Sequence, residues 1–458
     1  MKNILNKTII VTLAVSAFVS CKPDLKAPTA GKGSLDVTKY VSIGNSITSG
    51  FADGALYLEG QQVSYASLLA EQFKTVGGGE FVVPYMPAGV GIGSTLNAKL
   101  ILGYKADCQS GVLGLSPVPA ATTGDVAGLF TSIASKGPFN NMGVPGAKVT
   151  TVVYAGYGNA TLPLGSFNPF FARMLNSSEY TSASMLSKAA EQNPTFFSVF
   201  IGNNDVLGNA LAGGMSSTPI TPSSGGVGTG FDASYDLIIS TMMANGAKGV
   251  IANIPDITNI PHFTTVPYNG LTLTAADTAS LNPYYKANYP SAGITFTPGS
   301  NLPFMIQDAS APGGVRQIKS NEYILLGTPQ DSLKCHGWGS KKPLADQYVL
   351  NIQEVLNLKE AAAAYNAKIK TVAEEKGLAF VDVNAFMANA KKGIVYNGIT
   401  SSAAFVSGGA FSLDGIHLTP RGNAMLANEF IKAINSYYGS TINLVDITKY
   451  NGVAFPNP

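Results

Sequence analysis

Ser46 lies in Gly44-Asn45-Ser46-Ile47-Thr48, directly after the short apolar run Tyr40-Val41-Ser42-Ile43. A serine hydroxyl is a weak nucleophile and attacks a carbonyl only when a base takes its proton. The chain holds three histidines, so a histidine base has few positions to come from. His262 follows a proline in a loop-like stretch, and His336 lies in Cys335-His336-Gly337-Trp338. His417 lies in Phe411-Ser412-Leu413-Asp414-Gly415-Ile416-His417-Leu418-Thr419-Pro420, just before a helix start signal. From there Asp414 could accept the His417 Nδ1–H, fix the tautomer and stabilise the imidazolium. Ser46, His417 and Asp414 are therefore candidates for nucleophile, base and acid in acyl transfer. Each has a plainer reading alone: Gly-Asn-Ser is an ordinary turn, and Asp-x-x-His can simply pack beside a helix.

Such chemistry also needs donors aimed at the negative charge that develops on the carbonyl oxygen. Asn141-Met142-Gly143-Val144-Pro145-Gly146-Ala147 offers glycines whose N–H groups can approach a substrate closely. Gly202-Asn203-Asn204-Asp205 offers a side-chain amide, with Asp205 read as a cap or structural acceptor.

These residues need a frame. Thr195 to Ile201 is continuously apolar, as a strand buried on both faces should be. Gly249-Val250-Ile251-Ala252-Asn253-Ile254 and Leu378-Ala379-Phe380-Val381-Asp382-Val383 read as further strands. Helical stretches are expected over Tyr65–Phe73, Tyr235–Ala244 and Asp346–Lys376, the last kinked or split. A final helix is expected from Thr419-Pro420 to about Tyr437, with Thr as N-cap and Pro at its first position. Alternating strands and helices imply a parallel sheet covered on both faces, with ligands at the carboxyl ends of the strands. Residues 84–138, 213–230 and 261–342 interrupt the pattern. The second is Gly/Ser/Thr-rich and reads as a mobile loop, and the third reads as an ordered, aromatic cap.

The four blocks Gly44-Asn45-Ser46-Ile47, Asn141 to Ala147, Gly202-Asn203-Asn204-Asp205 and Asp414-Gly415-Ile416-His417, in this order, resemble the SGNH (GDSL-type) hydrolase superfamily. The resemblance runs roughly from Thr38 to Tyr437. It implies a three-layer α/β/α sandwich, flavodoxin-like, with about five parallel strands and long loop insertions. It also implies roles: Ser46 as nucleophile, Asp414 and His417 as acid and base, and Gly146, Asn204 and the Ser46 amide as oxyanion donors. No cofactor or metal is implied. The family usually carries Asp where this chain has Asn45, a position that supports the turn. The long insertions resemble the larger lipolytic lipoproteins of Bacteroidota-like bacteria.

Lys2 and Lys7 precede the apolar run Thr8 to Val19, which is too short to span a bilayer and suits a signal peptide. Ala17-Phe18-Val19-Ser20-Cys21 resembles a bacterial lipobox, with Phe18 where Leu is usual; Cys21 would then carry lipid. Lys22 is not the Asp that retains lipoproteins at the inner membrane, so outer-membrane anchoring is expected. The expected organisation is a signal peptide over residues 1–20, a tether over 21–36, the hydrolase domain over 37–445 and a tail over 446–458. Two cysteines remain, Cys108 and Cys335; in an oxidising compartment they could bridge, and two free thiols are the alternative. No cysteine or histidine spacing suggests zinc.

Charge is balanced, with 29 basic and 27 acidic residues, and no basic run suggests a nucleic-acid partner. Charged residues make up 12% of the chain against 45% hydrophobic ones, which argues against disorder. The expected partners are an ester substrate (an acyl lipid or an acylated glycan) and a membrane reached through the lipid. Two other readings stay open. One is a carbohydrate O-acetylesterase, with Tyr268, Tyr284, Tyr285, Tyr289 and Trp338 stacking on sugar rings; the plainer account places these aromatics in the cap's own core. The other is a non-catalytic surface lipoprotein that binds glycan or a partner.

Overall fold

The computed structural model describes residues 29–89, 91–215 and 217–456. The expected signal peptide and Cys21 lie outside the described residues. Five strands form the central sheet: β1 (Tyr40–Gly44), β2 (Asn141–Gly143), β3 (Phe196–Phe200), β4 (Lys248–Ala252) and β5 (Ala379–Val381). Their spatial order is β5-β4-β3-β1-β2, and every pairing is parallel. That is the doubly wound order 2-1-3-4-5, in which the chain reverses direction beside β1 and opens a crevice between β1 and β3 at their carboxyl ends. The central strands are buried throughout because both faces carry helices, so they read as unbroken apolar runs.

A helical turn, α1 (Ser46–Ser49), follows β1, and the longer helices include α2 (Tyr65–Lys74), α3 (Asn203–Leu211), α4 (Phe231–Met242), α5 (Ile352–Lys376) and α6 (Pro420–Tyr438). α2 and α6 pack together, while α4 packs on α5, and α5 on α3. One core of buried side chains runs through these layers, from Val41 and Ile43 to Phe430 and Ile434. The three-layer α/β/α sandwich with five parallel strands is thus the architecture of the chain.

The limits of two expected elements differ. The helical stretch from Asp346 is split rather than kinked. Asp346–Tyr348 is a separate 3-10 turn and Val349–Leu350 pairs with Tyr323–Ile324; α5 starts only at Ile352, where the Asn351 side chain accepts from the Gln353 and Glu354 amides. A capping asparagine ends one element and starts another where hydrophobic periodicity alone runs on. Strand β5 ends at Val381, because Asp382 caps the helix Val383–Lys392. The stretch 213–230 is fastened rather than free-standing: Thr221 N donates to Asp205 O (3.0 Å), Phe231 N to Pro222 O (2.8 Å), and the Tyr365 hydroxyl donates to Thr221 O.

The two longer interruptions build structure of their own. Leu100–Ala106 and Leu113–Pro119 form an antiparallel hairpin. Residues 261–342 hold a second core around Leu281, Tyr285, Phe304, Met305 and Ile306. Tyr285 is fully buried there, with Tyr268, Tyr284, Tyr289 and Trp338 packed against that core, so these aromatics are largely committed to cap packing. Cys108 in the hairpin and Cys335 in the cap form a disulfide. Residues 446–456 do not trail away: Ile447 is buried and Arg421 N donates to Asn451 O.

Candidate active site

The backbone of β1 delivers Ser46 to the crevice. Gly44 ends the strand where a Cβ would stand 1.9 Å from Thr48 Oγ1 and 2.7 Å from Phe200 O, so only glycine fits. The Asn45 side-chain oxygen then accepts from Ile47 N (3.1 Å) and caps α1, whose first residue is Ser46. The neutral amide thus supports the turn as the expected Asp would.

His417 and Asp414 reach the same place from α6. The loop between Phe411 and Leu418 is closed by an isolated bridge and by Ser412 N donating to His417 O (2.8 Å). Asp414 Oδ1 accepts from the Ile416 and His417 amides at 2.8 and 2.9 Å, folding the loop around its own carboxylate. Thr419 caps α6 directly afterwards. The result is a line: Asp414 Oδ2 stands 2.8 Å from His417 Nδ1, and His417 Nε2 stands 2.8 Å from Ser46 Oγ. Burial pushes the Asp414 carboxyl up, but the adjacent His417 ring and the two amides outweigh it and hold it well below the usual carboxylate range. The acid therefore stays ionised at neutral pH, facing the ring nitrogen that must carry the proton. Phe51 lies against the His417 ring, with centroids 4.8 Å apart.

Ser46, Asn204 and His417 line one cleft of about 30 Å³, whose other walls include Ile47, Leu207, Ile257, Ile260, Met387, Phe411 and Ile416. Asn204 is held by a bond from its Nδ2 to Ala147 O (3.0 Å), which ties the turn after β3 to the loop after β2. Gly146, beside Ala147, has φ +80, a left-handed conformation that favours glycine. It does not itself line that cleft. The N–H groups of Ser46 and Gly146 donate to no backbone carbonyl among the described residues. Asp205 plays a structural part: its Oδ2 accepts from Val149 N (3.0 Å), and burial pushes its carboxyl up to about 6.

The other histidines stand apart from Ser46. His336 ends the cap helix Gln330–Cys335. His262 is buried behind the Asp414 loop, its amide donating to Gly415 O (2.9 Å), and burial pushes its imidazole down to about 4. Four residues that sequence reasoning passed over also hold the acid: Gly54 N donates to Asp414 Oδ2 (2.8 Å), Ser412 Oγ to Asp414 Oδ1 (3.1 Å), and Leu413 N to Asp53 Oδ1 (3.0 Å). The Asp53-Gly54 pair carries a turn signal of its own, but nothing local says which distant loop the turn grips. Among the described residues, no group of three or more His, Cys, Asp or Glu could hold a metal, and no helix is long and apolar enough to cross a membrane.

No family model matches the chain, and no curated protein matches it. Two solved structures share a partial likeness. One is a catalytic mutant of Axe2, an acetylxylan esterase from Geobacillus stearothermophilus, 12% identical, with 88% of this chain and 97% of that chain covered and a TM-score of 0.35. The other is a second Geobacillus Axe2 mutant, an acetyl-xylooligosaccharide esterase, 13% identical, with 87% and 95% covered and a TM-score of 0.34.

Proposed function

We propose that this chain is a serine ester hydrolase of the SGNH type, working through an acyl-enzyme on Ser46. The observation that carries the reading is the unbroken line Ser46 Oγ, His417 Nε2, His417 Nδ1, Asp414 Oδ2, with both contacts at 2.8 Å. In this mechanism His417 takes the Ser46 proton and Ser46 attacks the ester carbonyl. The oxyanion is held by Asn204 and by the amides of Ser46 and Gly146. His417 then gives its proton to the leaving alcohol, and water, deprotonated by the same imidazole, releases the acid. No cofactor enters these steps.

The cleft favours a short acyl group. Its apolar walls suit an acyl group, and its volume of about 30 Å³ is too small to enclose a fatty acyl chain. That supports a short-chain esterase over a lipase. Export, lipidation at Cys21 and outer-membrane anchoring are proposed from the N-terminal motif. The chain from Gly31 to Ser34 packs on the end of α6, at the amino edge of the sheet.

The test is an ester series on wild type and Ser46→Ala. Turnover of p-nitrophenyl acetate should fall by at least about 10⁴-fold in the variant, with an unchanged melting profile. Wild type should prefer acetate over octanoate esters. Retained turnover in Ser46→Ala overturns the serine mechanism, and a preference for octanoate overturns the short-acyl reading alone.

A further inference from the structure

Asp53 and Gly54 form the two-residue tip of a tight hairpin in which Ala52 and Ala55 exchange backbone hydrogen bonds of 3.0 and 2.9 Å. Both tip residues have positive φ, +53 and +75, the backbone of a type I′ turn. This tip lies against Ser412, Leu413 and Asp414, some 360 residues away in sequence. Three bonds cross between them, donated in both directions. Asp53 N donates to Ser412 Oγ (3.0 Å), Gly54 N to Asp414 Oδ2 (2.8 Å), and Leu413 N to Asp53 Oδ1 (3.0 Å). The remaining Asp53 oxygen accepts from the Tyr57 hydroxyl (3.0 Å), over whose ring the Lys99 ammonium lies at 3.9 Å.

We propose that Asp53 is a positioning residue for the Ser46–His417–Asp414 line: its carboxylate fixes the turn that points Gly54 N–H at Asp414 Oδ2 and adds a negative charge behind the acid. The proposal rests on the serine-hydrolase reading above. Three observations carry it. Gly54 N–H and His417 Nδ1 converge on one oxygen, so the direction of the amide sets where the His417 contact can lie. Glycine would adopt the left-handed conformation at position 53 more cheaply than aspartate does. What aspartate adds is an acceptor for Leu413 N, one residue before the acid. Finally, both Asp53 oxygens accept hydrogens, which suits an ionised carboxylate.

The charged surroundings fix the sign of the expected effect. Asp53 faces Asp414 across the turn, and Tyr57 and Lys99 on its own side. Burial, the largest cause, and Asp414 push its carboxyl up, the Leu413 N–H, the Tyr57 hydroxyl and Lys99 pull it down, and the net direction is up. Asp414 in turn faces His417 and the buried His262, and Glu59 acts on Tyr57. A negative charge at position 53 stabilises positive charge developing on the catalytic line, and removing it weakens that stabilisation.

The experiment compares Asp53→Asn and Asp53→Ala with wild type and Ser46→Ala, using p-nitrophenyl acetate. Asp53→Asn keeps an acceptor for Leu413 N but loses the charge. Its kcat should fall about 3- to 10-fold with KM within about twofold, and the acid limb of kcat/KM should move to lower pH by roughly half a unit. Asp53→Ala loses acceptor and charge, and kcat should fall on the order of 100-fold with the limb moving the same way. Stoichiometric labelling of Ser46 by a fluorophosphonate certifies folded protein in the two Asp53 variants, and an unchanged melting profile does so for Ser46→Ala. If both variants keep kcat within twofold and leave the acid limb in place, whatever happens to Tm, the proposal is overturned. If Ser46→Ala itself stays active, the serine-hydrolase reading fails instead.

Discussion

At the carboxyl edge of the central sheet, the candidate site residues sit within a few positions of elements locked by long-range pairing. Ser46 follows β1, Asn204 follows β3, and His417 immediately precedes the cap of α6. The cap over residues 261–342 is built otherwise. Its strands are two to four residues long, pair only in twos, and lean on a small apolar cluster of their own. Its direct hold on the Asp414 loop runs through His262 N to Gly415 O. The sheet edge thus fixes atoms to the tolerance that chemistry needs, while no residue of 261–342 lines the cleft, whose wall on that side is formed by Ile257 and Ile260 just before the cap. Rigidity at the site comes from the sheet and from loops that bond back on themselves, and the cap can vary without moving the line.

The sharpest way to test that division is at the sheet edge. Asn204→Ala removes a side-chain donor while sparing the Ser46–His417 contact. It should lower kcat for p-nitrophenyl acetate by about 10²- to 10³-fold with KM little changed. A loss confined to KM would move Asn204 from oxyanion donor to ground-state binder.

An intermediate effect is expected where cap and loop meet. His262 has its imidazole pushed down to about 4 by burial, against an unfolded value near 6.5. Between those pH values the unfolded chain holds the proton and the folded chain does not. The stability this group contributes is therefore fully present above pH 6.5 and is lost as pH falls towards 4. The loss is on the order of 3 kcal/mol. His262→Gln should flatten urea midpoints between pH 4 and 6.5 while leaving kcat at pH 8 within about threefold. An unchanged acid slope in the variant would remove His262 from the acid response.

The smallest effect on turnover should come from the far end of the cap. Cys108→Ser with Cys335→Ser cuts the disulfide but leaves the ion pair of Lys105 with Asp331 (2.7 Å) and that of Lys334 with Asp107. Stability should fall by about 2–4 kcal/mol in a reversible melt. Turnover of short esters should stay within about twofold, because no residue of 100–119 or 330–335 lines the cleft. A loss of turnover as large as that of Asn204→Ala would show that cap and sheet edge are not separable.

Much of the sheet edge was legible in the sequence because its signals are local. Buried strands give unbroken apolar runs, Thr419-Pro420 announces a helix start, and three histidines leave little choice of base. Strand and helix limits were less legible where a single capping residue, Asn351 or Asp382, decides them against the hydrophobic pattern. The turn at Asp53-Gly54 was illegible as part of the site, because its meaning depends on Leu413 and Asp414 arriving beside it through the fold. The hairpin 100–119 was hidden for a different reason: both faces are largely exposed, so it carries no alternation of buried and exposed side chains to read.

The bridge between Cys108 and Cys335 has a topological consequence. It closes half of the chain into a covalent ring, with 227 positions separating the two cysteines. Gly146, Asn204 and His262 lie inside that ring, while Ser46 lies on the arm before it and Asp414 and His417 on the arm after it. A single proteolytic cut inside the ring leaves one molecule of unchanged mass on a non-reducing gel. A single cut between 336 and 413 leaves no covalent link between Ser46 and His417, so the contact between nucleophile and base would then persist only through non-covalent contacts, the packing of α6 against the sheet and the bonds from Asp53, Gly54 and His262 to the Asp414 loop.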